Sequence, residues 1–419
     1  VKPRSRFKYT ENDLAAIEAE AAERGGDDLR LRDNYLFSSL FNRENGVQDG
    51  RALSRREWIE TFFTIKPKAA GLQRITLNPA QRRLHSTVEK MIRLNLPVRI
   101  ICLKARQQGF STDIQAMMFE DVLRGQNKRG LIVADIDDRA EMLLKIANTA
   151  RKNMPKSERG DSRWDFKMDS RAAYQLAWGD PITGSIDITS SQTSGAGRGG
   201  TLDCLHLTET AFWKDAASQA VGILESLPDL PGTMAFNEST ANGDSGWFRD
   251  EFWRAWEERD RPLWDRKSSW VSLFFGWWEH PDYRWTKTFG AGREFPARLS
   301  AQIFHTVDAE EEWLLQQRYF QRGAGWKTVD YDQLAWRRKK IADYTGKGGV
   351  DKFNQEYPSR PEVAFMSSGF KVFDQDVIQR KLREAKKPVW TGTIEEPFAR
   401  VGAPSSYDDE AFEDQIINP

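Results

Sequence analysis

The chain has 419 residues, 30% of them charged and 39% hydrophobic, proportions of a globular protein that exclude a disordered or fibrous polymer. Its 62 basic residues balance 62 acidic ones, which excludes a uniformly basic nucleic-acid binder but permits a local basic surface. No stretch approaches the roughly 20 apolar residues that cross a bilayer, and two cysteines, Cys102 and Cys204, are too few for a disulfide framework or a zinc cluster.

The opening VKPRSRFKYT lacks an apolar signal core and an initiator Met, so a processed start is expected. Residues Glu11 to Arg24 hold strong helix formers, stopped by Gly25-Gly26. A second helical piece is expected from Arg55 to Ile65, and a third starts near Pro79, where proline is tolerated in a first turn. From about Ile75 strands and helices alternate. Val98 to Ala105 is an apolar run of the kind buried on both faces of a parallel sheet, and Gly130 to Asp135 is another. Further strands are expected at Ser185–Thr189, Leu202–Thr208, Thr233–Glu238 and Val271–Gly276. The order is that of an α/β fold with a mostly parallel sheet.

Asp250 to Trp264 reads as a tryptophan-rich helix, in which Phe252, Trp253 and Trp256 form either a packing face or a stacking platform. Residues 301–347 read as helical, with the runs DAEEEWLLQQRYFQRG and YDQLAWRRKKIADYTG. Arg337, Arg338, Lys339 and Lys340 are either a solvated helix face or a phosphate-contacting surface.

The strand ending in Lys104-Ala105 leads into Arg106-Gln107-Gln108-Gly109-Phe110-Ser111-Thr112 and then a helix, the context a phosphate loop requires. Backbone N–H groups around Gly109 and the helix N-terminus suit a phosphate, and Ser111 or Thr112 offers a hydroxyl to Mg²⁺. The standard pattern wants Gly at 104 and Lys at 110, where this chain has Lys104 and Phe110. The missing cation is expected from Arg106, which lies inside the turn and pairs bidentately with phosphate. Lys104, at the strand end, is the weaker candidate.

The strand Leu202–Thr208 leads into Glu209, which fits the place of a carboxylate that polarises water. Thr208 stands where a magnesium-holding carboxylate is expected, and Asp203 is too far back along the strand. Ahead of this strand Gly197, Gly199 and Gly200 flank Arg198; after the next strand come Ser239, Thr240 and Ala241, which suit either phosphate sensing or local turns.

In order, LNPAQRRLH, KARQQGFST, DCLHLTETAFW, ESTANGDSGWF and EYPSRPEVAFMSSGFKVFD resemble the ATPase domain of the large terminase subunit, the DNA-packaging motor of tailed bacteriophages and prophages. The resemblance implies a P-loop NTPase core of the ASCE, RecA-like class using ATP and Mg²⁺. It implies Gln81 as base reader, residues 104–112 as a deviant Walker A loop with Ser111 on the metal, and Glu209 as catalytic glutamate. It also implies Ser239, Thr240 and Ala241 as the coupling motif and Arg198 as a finger acting in trans on a neighbour. The partners implied are double-stranded DNA, portal protein and procapsid, the terminase small subunit and further copies in a ring. The place implied is the host cytoplasm at the procapsid portal, with no membrane.

The expected organisation is a helical cap over 1–65, the ATPase core over 66–300, a helical linker over 301–375, and an acidic tail over 376–419 leading to a nuclease domain absent from this chain. Rival readings are a helicase-like translocase and a non-catalytic portal adaptor with a degenerate nucleotide fold, the latter favoured by Thr208 and Phe110.

Overall fold

The computed structural model describes residues 53–67, 71–125, 127–154, 175–178, 183–193, 200–290, 292–321 and 325–365, all within one compact unit spanning 1–368. The helix expected at Glu11–Arg24, the loop carrying Arg198 and the acidic tail lie outside the described residues.

Helix α1 (Arg55–Phe62) starts at a capping box between Ser54 and Glu57 and buries Trp58, Ile59 and Phe62. It stops short of the expected Ile65 because Phe63 turns extended and β-branched Thr64 and Ile65 form β1, paired antiparallel with β2 (Gln73–Arg74). Helix α2 (Pro79–Arg93) follows Asn78 as N-cap, with proline in its first turn. The alternating region then runs β3 (Val98–Lys104), α3 (Phe110–Arg124), β4 (Arg129–Ala134), α4 (Asp137–Lys152), β5 (Gln175–Ala177), β6 (Ser185–Ser190) and β7 (Cys204–Thr208). It closes with a short 3₁₀ turn at Thr210–Phe212, then α5 (Ala216–Leu224), β8 (Met234–Ser239), α6 (Trp247–Glu257) and β9 (Val271–Phe275).

Seven of these strands form one sheet in the order β5-β6-β4-β7-β8-β3-β9, parallel throughout except for β5 against β6. Alternation along β3 divides the core. Ile100 and Cys102 join α1–α4 on one face; Ile101 and Leu103 join α5 and α6 on the other. Every residue of β3, β7 and β8 is buried, so these strands cannot show the polar alternation of a half-solvated sheet.

The aromatic helix ends at Glu257 rather than Trp264, ahead of Pro262, which cannot continue a helix. Phe248 and Phe252 are fully buried and Trp253 and Trp256 pack beside them, so this face is core.

Beyond β9 come α7 (Trp285–Thr288), α8 (Ala297–Phe304), α9 (Ala309–Leu315), β10 (Arg318–Gln321), β11 (Gly325–Thr328), α10 (Tyr331–Asp343), α11 (Gly349–Glu356) and α12 (Pro361–Ala364). The helical reading of residues 308–323 is corrected here: α9 ends at Leu315, and an antiparallel hairpin pairs Tyr319 with Lys327 and Phe320 with Trp326. Aromatic cross-strand pairing and burial of Tyr319 in the third core cluster outweigh the helix propensity of the preceding glutamates. In α10 the basic run is largely paired: Arg337 lies 3.4 Å from Glu311, Arg338 Nε donates to Glu311 at 2.7 Å, and Lys339 meets Asp343 at 3.0 Å.

Candidate active site

Strand β3 ends on Lys104, and the chain then curls into the loop 105–109. The loop front is pinned by backbone bonds from Ala105 N to Phe275 O (2.9 Å) and from Arg106 N to Glu356 O (2.8 Å). Gln107 and Gly109 take left-handed conformations, φ 60° and 79°. Gly109 is the N-cap of α3 and offers no side-chain acceptor, so the helix's first N–H groups face the loop without a cap, the arrangement that binds anions.

Gly109 also admits a close neighbour. Gln81 Oε1 accepts from Asn78 N at 2.9 Å and its Nε2 donates to Gly109 O at 2.9 Å, so this side chain clamps the start of α2 to the loop 105–109. That is where the structure puts the residue expected to read a base. Gln108 is buried and donates to Gly276 O at 2.7 Å. Phe110 turns away from the loop into the core, its ring 4.3 Å from that of Phe275.

Charged and hydroxyl groups converge beside this loop. Lys104 Nζ lies 3.0 Å from Glu209 Oε1 and 3.1 Å from Glu238 Oε2, with the lysine side chain 6% exposed. Burial alone lowers the Lys104 pKa, but the two carboxylates more than reverse that and hold the ammonium charged. Glu238 is wholly buried; its Oε1 accepts from Ser111 Oγ (2.7 Å) and Thr208 Oγ1 (2.6 Å), and His206 Nε2 lies 3.2 Å away. Burial pushes the Glu238 carboxyl up, yet Lys104 and the bonds from His206 and Thr208 prevail and bring it down to about 2.

Glu209 sits at the carboxyl end of β7 in a left-handed conformation, φ 54°, which an unbranched side chain adopts at a cost and which clusters at functional positions. Its Oε2 accepts from Ser239 Oγ (3.3 Å) and Thr240 N (3.2 Å), and its own N–H donates to Glu238 O at 2.7 Å. Arg139, on the first turn of α4, approaches Glu209 Oε1 to 3.7 Å while pairing with Asp135 at 2.5 Å.

The structure therefore brings together Lys104, Ser111, Glu209, Ser239 and Thr240. It does not bring in Arg106, whose guanidinium is 53% exposed and pairs with Glu356 at 2.9 Å. The sequence preferred Arg106 because it lies inside the turn; the turn aims it at α11, and Lys104 at the carboxylates. Ala241 is buried in the core behind the site, and Thr112 is half-buried on the first turn of α3. Arg198 lies outside the described residues. Glu238 was not singled out from the sequence, although an acid inside the buried strand MAFNES is a signal in itself, since a carboxylate is seldom buried without partners.

The oxygen donors here are the Ser111 hydroxyl and the two carboxylates, hard ligands that suit Mg²⁺. Among the described residues no group of three or more His, Cys, Asp or Glu forms a metal cage.

The strand ending in the loop (β3) and the strand ending in Glu209 (β7) are separated by β8, in a mostly parallel sheet with helices on both faces. No protein-family profile and no curated protein sequence matches the chain. Among solved structures it is similar to the HK97 bacteriophage large terminase (14% identity, 74% of this chain and 55% of that one, TM-score 0.45). It is also similar to the ATPase domain of a Thermus phage large terminase (15% identity, 67% and 92%, TM-score 0.41). A third is a large terminase from a thermophilic bacteriophage (12% identity, 56% and 51%, TM-score 0.36). The match thus spans about half the length of the HK97 protein, 55%.

Proposed function

We propose that the chain is the ATP-hydrolysing motor unit of a viral DNA-packaging terminase. The observation that carries this reading is the convergence of Lys104, Ser111, Glu209 and Glu238 around an uncapped helix N-terminus at the carboxyl edge of the sheet. Ligands of open α/β sheets bind at that edge. The N–H groups of the loop and the Lys104 ammonium bind and orient the β- and γ-phosphates. Glu209, held by Ser239 and Thr240, orients the attacking water. When bound, Mg²⁺ supplies positive charge on the phosphate oxygens, and Ser111 is a residue that holds it. Ser239 and Thr240 connect Glu209 to the segment after β8, a route by which γ-phosphate loss reaches the rest of the chain. Arg106 acts at the loop front through Glu356, and Arg198 acts in trans in an assembled ring. Double-stranded DNA is gripped through its phosphates, since a motor moves along any sequence. Portal, procapsid, small subunit and neighbouring copies complete the machine in the host cytoplasm. Among the described residues no helix is long and apolar enough to cross a membrane.

The test is phosphate release by the purified chain with Mg-ATP, with and without double-stranded DNA and an assembled portal. Turnover raised by DNA in a salt-sensitive manner supports the reading. A chain that binds no nucleotide removes the ATPase reading, and turnover indifferent to DNA in the assembled complex removes the motor.

A further inference from the structure

Thr208 ends β7 where a carboxylate for the metal is expected, and its hydroxyl carries no charge. Across the parallel register its partner on β8 is Glu238. Glu238 is 0% exposed, in a strand whose residues are all buried. One of its oxygens accepts from the hydroxyl of Ser111, the first-turn residue of the phosphate loop, at 2.7 Å. The other, Oε2, is met by the Lys104 ammonium at 3.1 Å. The acid stands one strand over from the expected place, and it still touches the loop hydroxyl.

A purely structural acid here is a poor solution: an apolar residue would fill the strand without the cost of desolvating a carboxylate. The cluster is also set for exchange. A phosphate that draws the Lys104 ammonium to itself leaves Oε2 without its counter-charge, and a divalent cation beside Ser111 restores it.

Resting on the ATPase reading above, we propose that Glu238 is the metal carboxylate of this site, acting from β8 in place of the residue at Thr208, which steadies it through its hydroxyl. The metal class is a hard divalent cation, Mg²⁺ or Mn²⁺, brought in with a nucleoside triphosphate.

The test uses binding rather than turnover. A fluorescent nonhydrolysable ATP analogue is titrated into the full chain in EDTA and in Mg²⁺, and Mn²⁺ binding in the presence of the analogue is followed by electron paramagnetic resonance. In Glu238→Gln, Mn²⁺ affinity should fall at least about tenfold, the scale on which even outer partners of a metal act, and by more than nucleotide affinity in EDTA changes. The exchange variant Thr208→Asp/Glu238→Thr should regain the metal-dependent gain. A Glu238→Gln protein with the wild-type gain, or an exchange variant that binds nucleotide without it, overturns the proposal. If Glu238→Gln does not fold, crystals of the wild type with Mn²⁺ and the analogue decide: an anomalous peak at the Glu238 carboxylate supports the assignment, and a peak away from it overturns it. Wild-type protein that binds no nucleotide under either condition fails the ATPase reading itself, whereas normal metal dependence in Glu238→Gln fails this assignment alone.

Discussion

Lys104 Nζ meets Glu209 Oε1 at 3.0 Å across a sequence separation of 105 residues. The contact exists because β8 sits between the two strands that carry them, and β8 contributes a second acid, Glu238, to the same ammonium. One cation thus serves two buried carboxylates. Each carboxylate also has neutral donors of its own, Ser239 and Thr240 for Glu209, Ser111 and Thr208 for Glu238.

Lys104→Met should therefore damage both fold and function. Removing one partner of a buried ion pair leaves an uncompensated charge and costs about 3–5 kcal/mol, which urea unfolding would register. Nucleotide affinity and ATP turnover should fall together. Arg106→Ala should cost less than about 1 kcal/mol, since its guanidinium is half-exposed and solvent screens the pair with Glu356. Turnover more sensitive to Arg106 than to Lys104 would return the phosphate cation to the turn.

Glu209→Gln keeps the shape and the acceptor oxygen that Ser239 and Thr240 N bond, while removing the charge. Nucleotide binding should persist, and hydrolysis should drop by about 10²–10⁴-fold, the usual worth of a positioned acid or base. Single-turnover assays check it; near-normal hydrolysis would place the water-orienting group elsewhere.

The central strands were legible as apolar runs because both faces are covered, whereas the short edge strand β5 was not; the loop was legible because glycine, hydroxyl and helix follow a strand. Strand order was not legible, and the site depends on it. Nothing local in KARQQGFST tells Lys104 from Arg106; their roles separate only when Glu209 and Glu238 arrive from two other strands. The hairpin at Arg318–Thr328 was hidden for a different reason. Its first strand follows directly on a run of glutamates and leucines, and only the pairing of Tyr319 and Phe320 with Lys327 and Trp326 breaks the helix.

Phe110 occupies the position of the usual loop lysine, so Phe110→Lys looks like a repair. The structure argues the opposite. This side chain is 1% exposed and packs on Phe275, not on the loop. The substitution should destabilise by at least about 3–5 kcal/mol, the range for losing a buried phenylalanine, with a buried charge added to it. It should not rescue Lys104→Met. Recovery of turnover in the double variant would show that position 110 reaches the phosphates.

His280 gives a pH prediction. Burial lowers its pKa, partly offset by Asp282. The neutral ring suits the site, because Nδ1 accepts from Asp282 N at 3.2 Å and the ring stacks on Tyr283. With the folded value below the unfolded value of about 6.5, the contribution to stability is present above that pH and is lost as pH falls through the folded value. His280→Asn retains an acceptor near Nδ1 and cannot be protonated there. Between about pH 7 and pH 5 the wild-type urea midpoint should fall further than that of the variant. Parallel pH curves would remove the effect.

The clamp between Gln81 and Gly109 can be measured by a double-mutant cycle. Gly109 has φ +79°, and a Cβ there would lie 2.9 Å from Gln81 Nε2. Gly109→Ala thus carries two costs: about 1–2 kcal/mol for a left-handed alanine, and displacement of an amide that is itself bonded at both ends. Gln81→Ala alone should cost about 1 kcal/mol for each hydrogen bond lost. In the Gln81→Ala background the added methyl has no amide to strike, so only the conformational cost remains. The double variant should therefore be more stable than the sum of the single effects requires, by about 0.5–3 kcal/mol, the range for residues in contact. Equilibrium urea unfolding of the four proteins gives the coupling directly. Strict additivity would mean that the amide moves aside freely and that the clamp does not constrain the phosphate loop. Coupling in stability, joined to a matching non-additive loss of nucleotide affinity, would place the loop's backbone conformation under the control of Gln81.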